Sequence, residues 1–258
     1  MFIVREKGIL LRRLSRLALL LFVSVNFCVA QQGQSVKTID SFDIKRTSFL
    51  LPQPLPKGRY SQAISLVYVV LPRDWTLDVI NAPTFCYEGK YTLPAGFNLQ
   101  GSFNTLIVSS RLNLGPFWNY SFNDNHIGLG YQVGFSYGFL NKNEFGFNTK
   151  MNIWEQQPSV TIGHSFTKTA LTFRGDLYYT STINEVQGGH TISHHLSAVN
   201  GWSTSANFEQ RLHKKKILYF GVKMNYLRYH FLAWPAFPVN QYRYWVPEIH
   251  IGFEPIKS

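Results

Sequence analysis

Residues 127–139 read IGLGYQVGFSYGF, and their side chains alternate between two classes with a period of two. Large apolar residues such as Leu129, Val133 and Phe139 occupy the odd positions, whereas glycine, serine or glutamine occupies every even position. Successive side chains of a β-strand point to opposite faces, so the pattern predicts a strand with one apolar and one small or polar face. A tilted strand needs about 9–11 residues to cross a bilayer, and the length of this stretch therefore suits a transmembrane strand.

The same alternation recurs along most of the chain after residue 60. We predict strands at residues 61–71, 93–104, 109–122, 127–140, 145–155, 159–166, 170–183, 203–212, 217–231 and 243–254. Charges share the face that lacks aromatic residues, as where Lys223 alternates with Val222 and Met224. A polar lumen and a lipid-facing exterior require this partition, and an even strand number allows closure. The sequence thus predicts an all-β fold, an antiparallel transmembrane β-barrel of about ten strands, with eight or twelve as alternatives.

The lengths of the predicted connections orient this barrel, because membrane barrels have short turns at one end and longer loops at the other. The long connections at 72–92, 184–202 and 232–242 fall at one end, together with 123–126 and 156–158. The connections at 105–108, 141–144, 167–169 and 213–216 fall at the opposite end, with the N-terminus. All the long connections therefore lie on one side.

The first thirty residues have the order of a secretory signal peptide. A cationic stretch that includes Arg5 and Arg16 precedes an apolar run that ends at Ala30, after which we predict cleavage. The run is shorter than the ~20 residues that a spanning helix needs, and no later stretch approaches that length, which excludes a helical membrane protein. We predict a signal peptide at 1–30, a Pro-rich periplasmic N-terminal extension at 31–60 and the barrel at 61–258.

Charge and cysteine content narrow the function classes. Cleavage after Ala30 removes five of the 25 Lys and Arg residues and one of the 14 Asp and Glu residues, which leaves a formal charge of +7. The basic residues are spread along an exported chain, so we expect no nucleic-acid partner, whereas anionic lipid head groups would be at hand. Cys86 alone remains after cleavage, which excludes an intramolecular disulfide.

The predicted extension ends in a run with Pro52, Pro54 and Pro56. Proline lacks a backbone N–H and has a fixed φ, so this run fits neither a helix nor a sheet ladder. The apolar residues 49–51 before it would suit a plug in the barrel mouth or a contact with a partner. A tether is the simpler interpretation, and it is the one that we predict.

These features together resemble a bacterial outer-membrane β-barrel protein, over about residues 60–253. The resemblance includes a final strand in which Trp245, Ile249, Ile251 and Phe253 alternate toward a near-terminal aromatic residue. It implies a location in the cell outer membrane, contact with outer-membrane lipid and lipopolysaccharide, and insertion by the barrel assembly machinery. The chain departs from the pattern because residues 254–258 follow the last aromatic residue. No subfamily with an assigned activity is indicated.

Charged residues on the predicted inward faces form the first candidate site. They are Arg111, Lys150, Arg174, Asp176, Glu209, Arg211, Lys223, Glu248 and His250. Isolated burial of a charge is costly, so we predict that these residues pair as a structural ion network in a narrow lumen. A narrow pore or a substrate relay is the alternative.

The outer loops hold the second set of candidates, which are His190, His194, His195, Trp234 and Tyr242. The three histidines have a spacing compatible with a metal ion, but an exposed polar loop is the simpler interpretation, and we predict no metal site. The aromatic residues would belong to an interfacial girdle or to a platform for a ligand.

The sequence therefore predicts a non-enzymatic outer-membrane barrel that serves structure, adhesion or passage of small solutes, without a cofactor. The first alternative is an outer-membrane enzyme that modifies lipid A or phospholipid, for which a Ser, a His and an acidic residue would meet at the rim. The second alternative is a soluble secreted β-sandwich, in which the aromatic residues of 127–139 would pack inside. The oligomeric state does not follow from the sequence.

Overall fold

A computed structural model describes residues 44, 48–76, 79–106, 108–142, 147–187, 190–194, 198–212, 216–236 and 242–255. The strands of this part are β1 (Tyr60–Leu71), β2 (Ile80–Thr92), β3 (Phe97–Leu106), β4 (Ser109–Phe122), β5 (Asn125–Lys142), β6 (Phe147–Ser165), β7 (Thr169–Gln187), β8 (His190–His194), β9 (Ala198–Leu212), β10 (Lys216–Leu227) and β11 (Tyr244–Pro255). A short helix, α1 (Arg73–Thr76), and two 3-10 helices, at Pro94–Gly96 and Phe231–Ala236, complete it. No helix among these residues is long and apolar enough to cross a membrane.

The strands pair antiparallel with their neighbours, and the sheet closes on itself. Val67 of β1 lies beside Thr84 of β2 on one side and beside His250 of β11 on the other. β7 pairs with β6 and β9, and its far end also pairs with the short strand β8. The described strands thus form a closed antiparallel barrel of ten strands, and β8 pairs only with the end of β7. This arrangement confirms the predicted fold.

The two faces of the barrel wall differ as the alternation predicts. On β5, the outward side chains of Leu129, Tyr131 and Val133 are 42% to 49% exposed, whereas those of Gln132 and Ser136 are buried inside. The apolar side chains of this strand do not pack in an interior, so the alternative of a soluble sandwich is wrong.

The barrel has two distinct rims. β1 begins and β11 ends at the same rim, which we call the terminus end, and we call the opposite rim the loop end. β5, β6 and β7 are 18 or 19 residues long, and they extend past their neighbours at the loop end.

One predicted loop is a strand. Residues 80–92 form β2, although the sequence predicted a connection over 72–92. β3 pairs with β2 only from Phe85 onward, which leaves residues 80–84 with an unpaired edge. Proline is tolerated at such an edge, and Pro83 therefore fits within the strand.

One predicted turn is part of a strand. Residues 156–158 lie within β6, where Pro158 is opposite Tyr131 of β5. The register of β6 with β7 passes from the pair Gln156–Tyr179 to the pair Ser159–Asp176. The ladder is interrupted at the proline, which has no N–H to donate, and the strand continues.

These two errors cancel in the strand count but not in the topology. Because β2 was not predicted, the predicted directions of β3, β4 and β5 were reversed. The false turn within β6 restored the correct direction for the strands that follow it. The connection at 123–124 therefore lies at the terminus end, and those that follow β3 and β5 lie at the loop end, opposite to their predicted sides. The other connections lie at the rims that the sequence predicted.

Candidate functional site

Polar side chains from most of the strands meet inside the barrel and line a cavity of about 150 Å³, which we call the chamber. The side-chain amides of Gln100, Asn104 and Asn207 face it. A water molecule occupies about 30 Å³ in the liquid, so a polar cavity of this size has room for several. The chamber is therefore a hydrophilic space in the lumen, surrounded by the wall of the barrel.

Arg111 anchors one side of the chamber. Its guanidinium lies 2.9 Å from the carboxylate of Glu155 and donates from Nε to Oδ1 of Asn113 at 3.0 Å. It also lies over the ring of Tyr178, 5.5 Å from the centroid. Glu155 in turn accepts a hydrogen bond from the amide of Asn200 at 3.0 Å. Both charges of the pair thus have further polar or aromatic partners, as burial of an ion pair requires.

A second ion pair lies on the inward face of β7. Nε of Arg174 donates to Oδ1 of Asp176 at 2.7 Å. The hydroxyl of Ser203 donates to the other carboxylate oxygen at 3.1 Å, and Arg174 also donates to Oε1 of Gln132 at 3.2 Å. The pair is therefore tied to the neighbouring strand β9 and, across the lumen, to β5.

Glu248 is the centre of a third cluster. Its carboxylate lies 3.3 Å from Nε2 of His230 and 3.1 Å from Nε2 of His250, and it accepts a hydrogen bond from Nδ2 of Asn225 at 2.8 Å. Lys223 is its register partner on β10 and also lines the chamber. These side chains join β10, β11 and the segment that follows β10.

The predicted lumenal residues point inward with one exception. Lys150 lies on the outward face of β6, beside Phe139, so its assignment to the lumen was wrong. The inward neighbours of Lys150 on β6 include Met151, which lies opposite the buried Glu185 of β7 and packs against Tyr229 from the segment after β10. The rule that charges face only inward fails here because the outward face of β6 is itself polar near the loop end, where Asn152 accepts a hydrogen bond from Asn184. The residues on the inward face are Arg111, Arg174, Asp176, Glu209, Arg211, Lys223, Glu248 and His250.

Residues 48–56, which we call the plug, run through the lumen at the terminus end. Phe49 packs against Ala63 and Tyr219. Leu51 is fully buried in a second apolar cluster. The segment that the sequence predicted as a tether thus lies inside the barrel.

Three buried charges, which we call the clamp, hold the plug by its backbone. Nζ of Lys90 donates to the carbonyl oxygen of Phe49 at 2.5 Å, and the N–H of Phe49 donates to Oε2 of Glu254 at 3.0 Å. The N–H of Leu50 donates to Oε1 of Glu209 at 3.2 Å. Both backbone groups of Phe49 are therefore bonded to charged side chains of the wall.

Further contacts fit the plug to the wall. The hydroxyl of Ser48 donates to Oε2 of Glu209 at 2.5 Å. Two glycines make room on the opposite side of the lumen, since a Cβ atom at Gly128 would lie 2.7 Å from Cβ of Pro52. A Cβ atom at Gly163 would lie 2.6 Å from Cδ1 of Leu51, and both distances are shorter than carbon atoms tolerate.

Residues 228–236, which we call the cap, pack inside the barrel near the loop end. Phe231 is buried in the largest apolar cluster of the described residues, which also contains Trp75 of α1. The side chain of Asn200 holds the backbone of Tyr229, accepting from its N–H and donating to its carbonyl oxygen, each at 3.0 Å. The chamber lies between the cap and the plug, because Phe49 and Phe231 both line it.

Sequence reasoning missed several residues of this site. Lys90 lies in the stretch that was taken for a loop, although alternation of Phe85, Tyr87 and Tyr91 with smaller or charged residues was a usable signal. Glu155 was placed at the end of a predicted strand and was not assigned to the lumen. Glu254, at the end of the last predicted strand, was not assigned to it either. The contacts of Asn200 and His230 depend on how the cap folds back, which no local pattern predicts.

The side chains of most of the candidates in the outer loops lie outside the described residues. The side chains of His190, His194 and Trp234 lie outside the described residues, as does all of His195, whereas Tyr242 is 72% exposed near the loop end. Among the described residues, no group of three or more His, Cys, Asp or Glu side chains is placed to hold a metal ion.

A serine and histidine cluster lies inside the barrel at the terminus end. Nδ1 of His126 lies 2.6 Å from Oγ of Ser121, and its Nε2 lies 3.1 Å from Oγ of Ser165. The cluster is buried and does not face the lipid-exposed outer rim, where a lipid-modifying site would lie. Its contacts join β4, β5 and β6.

The outer face carries aromatic clusters in addition to aliphatic side chains. The rings of Trp202, Tyr226 and Trp245 have centroids 4.9–6.0 Å apart, and those of Trp118 and Tyr120 are stacked at 6.0 Å. An apolar exterior with aromatic groups, wrapped around a polar interior in a closed sheet, is characteristic of barrels that span membranes. The chain has the architecture of an outer-membrane β-barrel.

Comparison with solved structures finds bacterial outer-membrane barrels. The translocator domain of the autotransporter NalP from Neisseria meningitidis is 10% identical, with a TM-score of 0.43, over 78% of this chain and 89% of that one. Neisserial surface protein A is 12% identical, with a TM-score of 0.38, over 76% and 96%. Outer membrane phospholipase A from Escherichia coli is 10% identical, with a TM-score of 0.36, over 82% and 93%. No protein-family model and no curated protein matches the sequence.

Proposed function

We propose that the protein is an integral outer-membrane barrel, exported through a cleaved signal peptide, whose lumen is closed at rest. It acts as a non-enzymatic scaffold that presents its loop end at the cell surface. The observation that carries this proposal is that the plug and the cap border one polar chamber from opposite ends of the barrel.

The electrostatics of the lumen support a closed barrel. A conducting pore needs a continuous hydrated route lined by groups that an ion can exchange for its water shell. Here Arg111 is paired with Glu155 and Arg174 with Asp176, so these charges bind one another inside a narrow lumen. The cap adds an apolar barrier above them, since Phe231 packs among buried residues.

The shape of the loop end supports a scaffold. Near the loop end, the outward faces of β6 and β7 carry Lys150, Asn152 and Asn184, and the amide of Asn184 donates to that of Asn152 at 3.0 Å. Polar outward side chains suit water better than lipid tails, so this part of the wall would rise above the bilayer. Such a ridge offers strand edges and side chains to an extracellular partner.

Fractionation of the producing cell and liposome swelling test this proposal together. We expect the protein in the outer-membrane fraction with heat-modifiable gel mobility, and we expect liposomes that contain it to swell as slowly as empty ones. A porin reconstituted at the same ratio serves as the positive control. Recovery from the soluble periplasm would overturn the location, and swelling at the rate of the porin would overturn the closed lumen.

A further inference from the structure

The clamp holds the plug through the kind of contact that water can replace. The contacts of Lys90, Glu209 and Glu254 with the plug are hydrogen bonds to N–H, O–H and C=O groups of residues 48–50. Docking exchanges bonds to water for such bonds, so the net free energy of each is much smaller than its energy in the absence of water. Charged side chains at a barrel rim would be well solvated after the segment leaves. The clamp is therefore compatible with both an occupied and an empty lumen.

The plug also forms no part of the sheet. Pro52, Pro54 and Pro56 lack backbone N–H groups, so this segment cannot join a β-ladder at those positions. Regular pairing begins only after it, where the N–H of Gly58 donates to the carbonyl oxygen of Thr92 at 2.9 Å. Gly58 has a φ of 80°, a left-handed conformation that favours glycine, and it lies in an exposed turn between the plug and β1. Movement of the plug about this turn would break no strand pairing.

We propose that the plug is a displaceable gate, and that its release from the clamp opens the chamber to small hydrophilic molecules from the terminus end. Phe49 and Leu50 form the floor of the chamber, so their departure joins it to the solvent. Phe231 and His230 of the cap still close the other side. The opened chamber is then a blind pocket rather than a channel, and the proposal holds whatever membrane the barrel occupies.

Cys86 provides a native reporter for this opening. Its side chain is 4% exposed on the inward face of β2, lines the chamber, and lies four residues before the clamp residue Lys90. Cys28, the only other cysteine of the chain, is replaced by serine in every protein tested. The rate at which a small uncharged methanethiosulfonate reagent modifies Cys86 in detergent-refolded protein then measures access to the chamber.

Glu209→Ala is the principal variant, because it removes two acceptors of the plug while Lys90 and Glu254 remain to balance each other's charge. We expect labelling of Cys86 to accelerate about tenfold or more, the factor that corresponds to ~1.4 kcal/mol of lost hydrogen bonding. Phe49→Ala alters the plug and leaves the wall intact, and we expect it to accelerate labelling several-fold. The matched control is Thr204→Ala on the same strand β9, whose exposed side chain lies on the outward face, and we expect it to leave the labelling rate as it is.

A second reagent separates gating from unfolding. A polyethylene-glycol maleimide too large to enter the barrel reaches Cys86 only if the wall opens, so we expect none of the heat-modifiable, folded variants to react with it. Acceleration with the small reagent alone, in Glu209→Ala and in Phe49→Ala, supports the gate. Labelling at the wild-type rate in both folded variants would overturn it, as would equal acceleration with the large reagent or in Thr204→Ala.

Discussion

The plug and the cap close the same lumen with different chemistry. At the terminus end, charged side chains hold the backbone of residues 48–50, and the segment leads through an exposed turn into β1. At the loop end, Phe231 and its apolar neighbours are buried together, and the cap lies on the connection between β10 and β11. The stabilisation from apolar burial is lost when side chains are exposed to water, whereas hydrogen bonds to protein groups can be replaced by hydrogen bonds to water. The cap is therefore part of the largest apolar cluster of the described residues, whereas the plug combines hydrogen bonds to charged side chains with two smaller apolar clusters.

The strand β9 shows the difference along a single element. Near the loop end its Asn200 holds the backbone of Tyr229, and near the terminus end its Glu209 holds that of Leu50. Both side chains satisfy backbone groups, yet only the cap adds a large apolar cluster to these bonds. Substitutions at the two ends should consequently have unequal effects on the stability of the barrel.

The largest expected effect is that of Phe231→Ala in the cap. Truncation of a buried phenylalanine typically costs ~3–5 kcal/mol, because it removes apolar contacts and leaves a cavity. We expect the free energy of unfolding in detergent to fall by about that amount. Urea titration monitored by tryptophan fluorescence measures it, and a loss as small as that of a surface substitution would contradict the cap as core.

Glu155→Gln should be nearly as damaging, because it leaves the charge of Arg111 buried without its counter-ion. We expect a loss of ~3 kcal/mol, the usual cost of breaking a buried ion pair on one side. Lys150→Gln is the matched control on the same strand, and its outward side chain predicts a change of about 0.5 kcal/mol or less. Equal losses in the same urea titration would show that the inward assignment of Glu155 is mistaken.

Asn200→Ala should have an intermediate effect. It removes the side-chain bonds to Tyr229 and to Glu155, and we expect a loss of ~2 kcal/mol from the unpaired backbone groups. Thermal unfolding followed by gel mobility in detergent measures the loss. If Asn200→Ala proved neutral, the cap would depend on its apolar contacts alone.

Phe49→Ala should have the smallest effect on the barrel. A displaceable plug can leave its site when its anchor is truncated, so water fills the space and the wall keeps its structure. We expect the free energy of unfolding of the barrel to fall by less than the ~3–5 kcal/mol of the matched truncation Phe231→Ala. The two variants are compared in one urea titration. A loss equal to that of Phe231→Ala would make the plug as integral to the core as the cap.

Local alternation was sufficient to predict the class of fold. Where a strand carries many large outward residues, as at 109–122, the predicted and observed bounds coincide. The pattern failed at Pro83 and Pro158, because the tolerance of a proline depends on which neighbouring strand pairs beside it. That information belongs to the register of the sheet and is not contained in the segment itself.

Alternation predicted the lumenal charges only where charged side chains face inward and apolar side chains face outward. Arg111, Arg174 and Asp176 follow alternation and form ion pairs inside. The partners Glu155 and His230 were missed, because each contact joins segments that are distant along the chain. The plug was taken for a tether, since three prolines indicate the absence of a ladder but not where the segment lies.

Single-channel recording of the refolded protein in planar bilayers tests the two-seal arrangement most directly. We expect no conductance steps from the wild-type protein and none from Glu209→Ala, because the cap closes the loop end in both. Steps should appear only when Glu209→Ala is combined with deletion of residues 231–236 of the cap. Steady conductance steps from the wild-type protein would contradict a lumen that is closed at both ends.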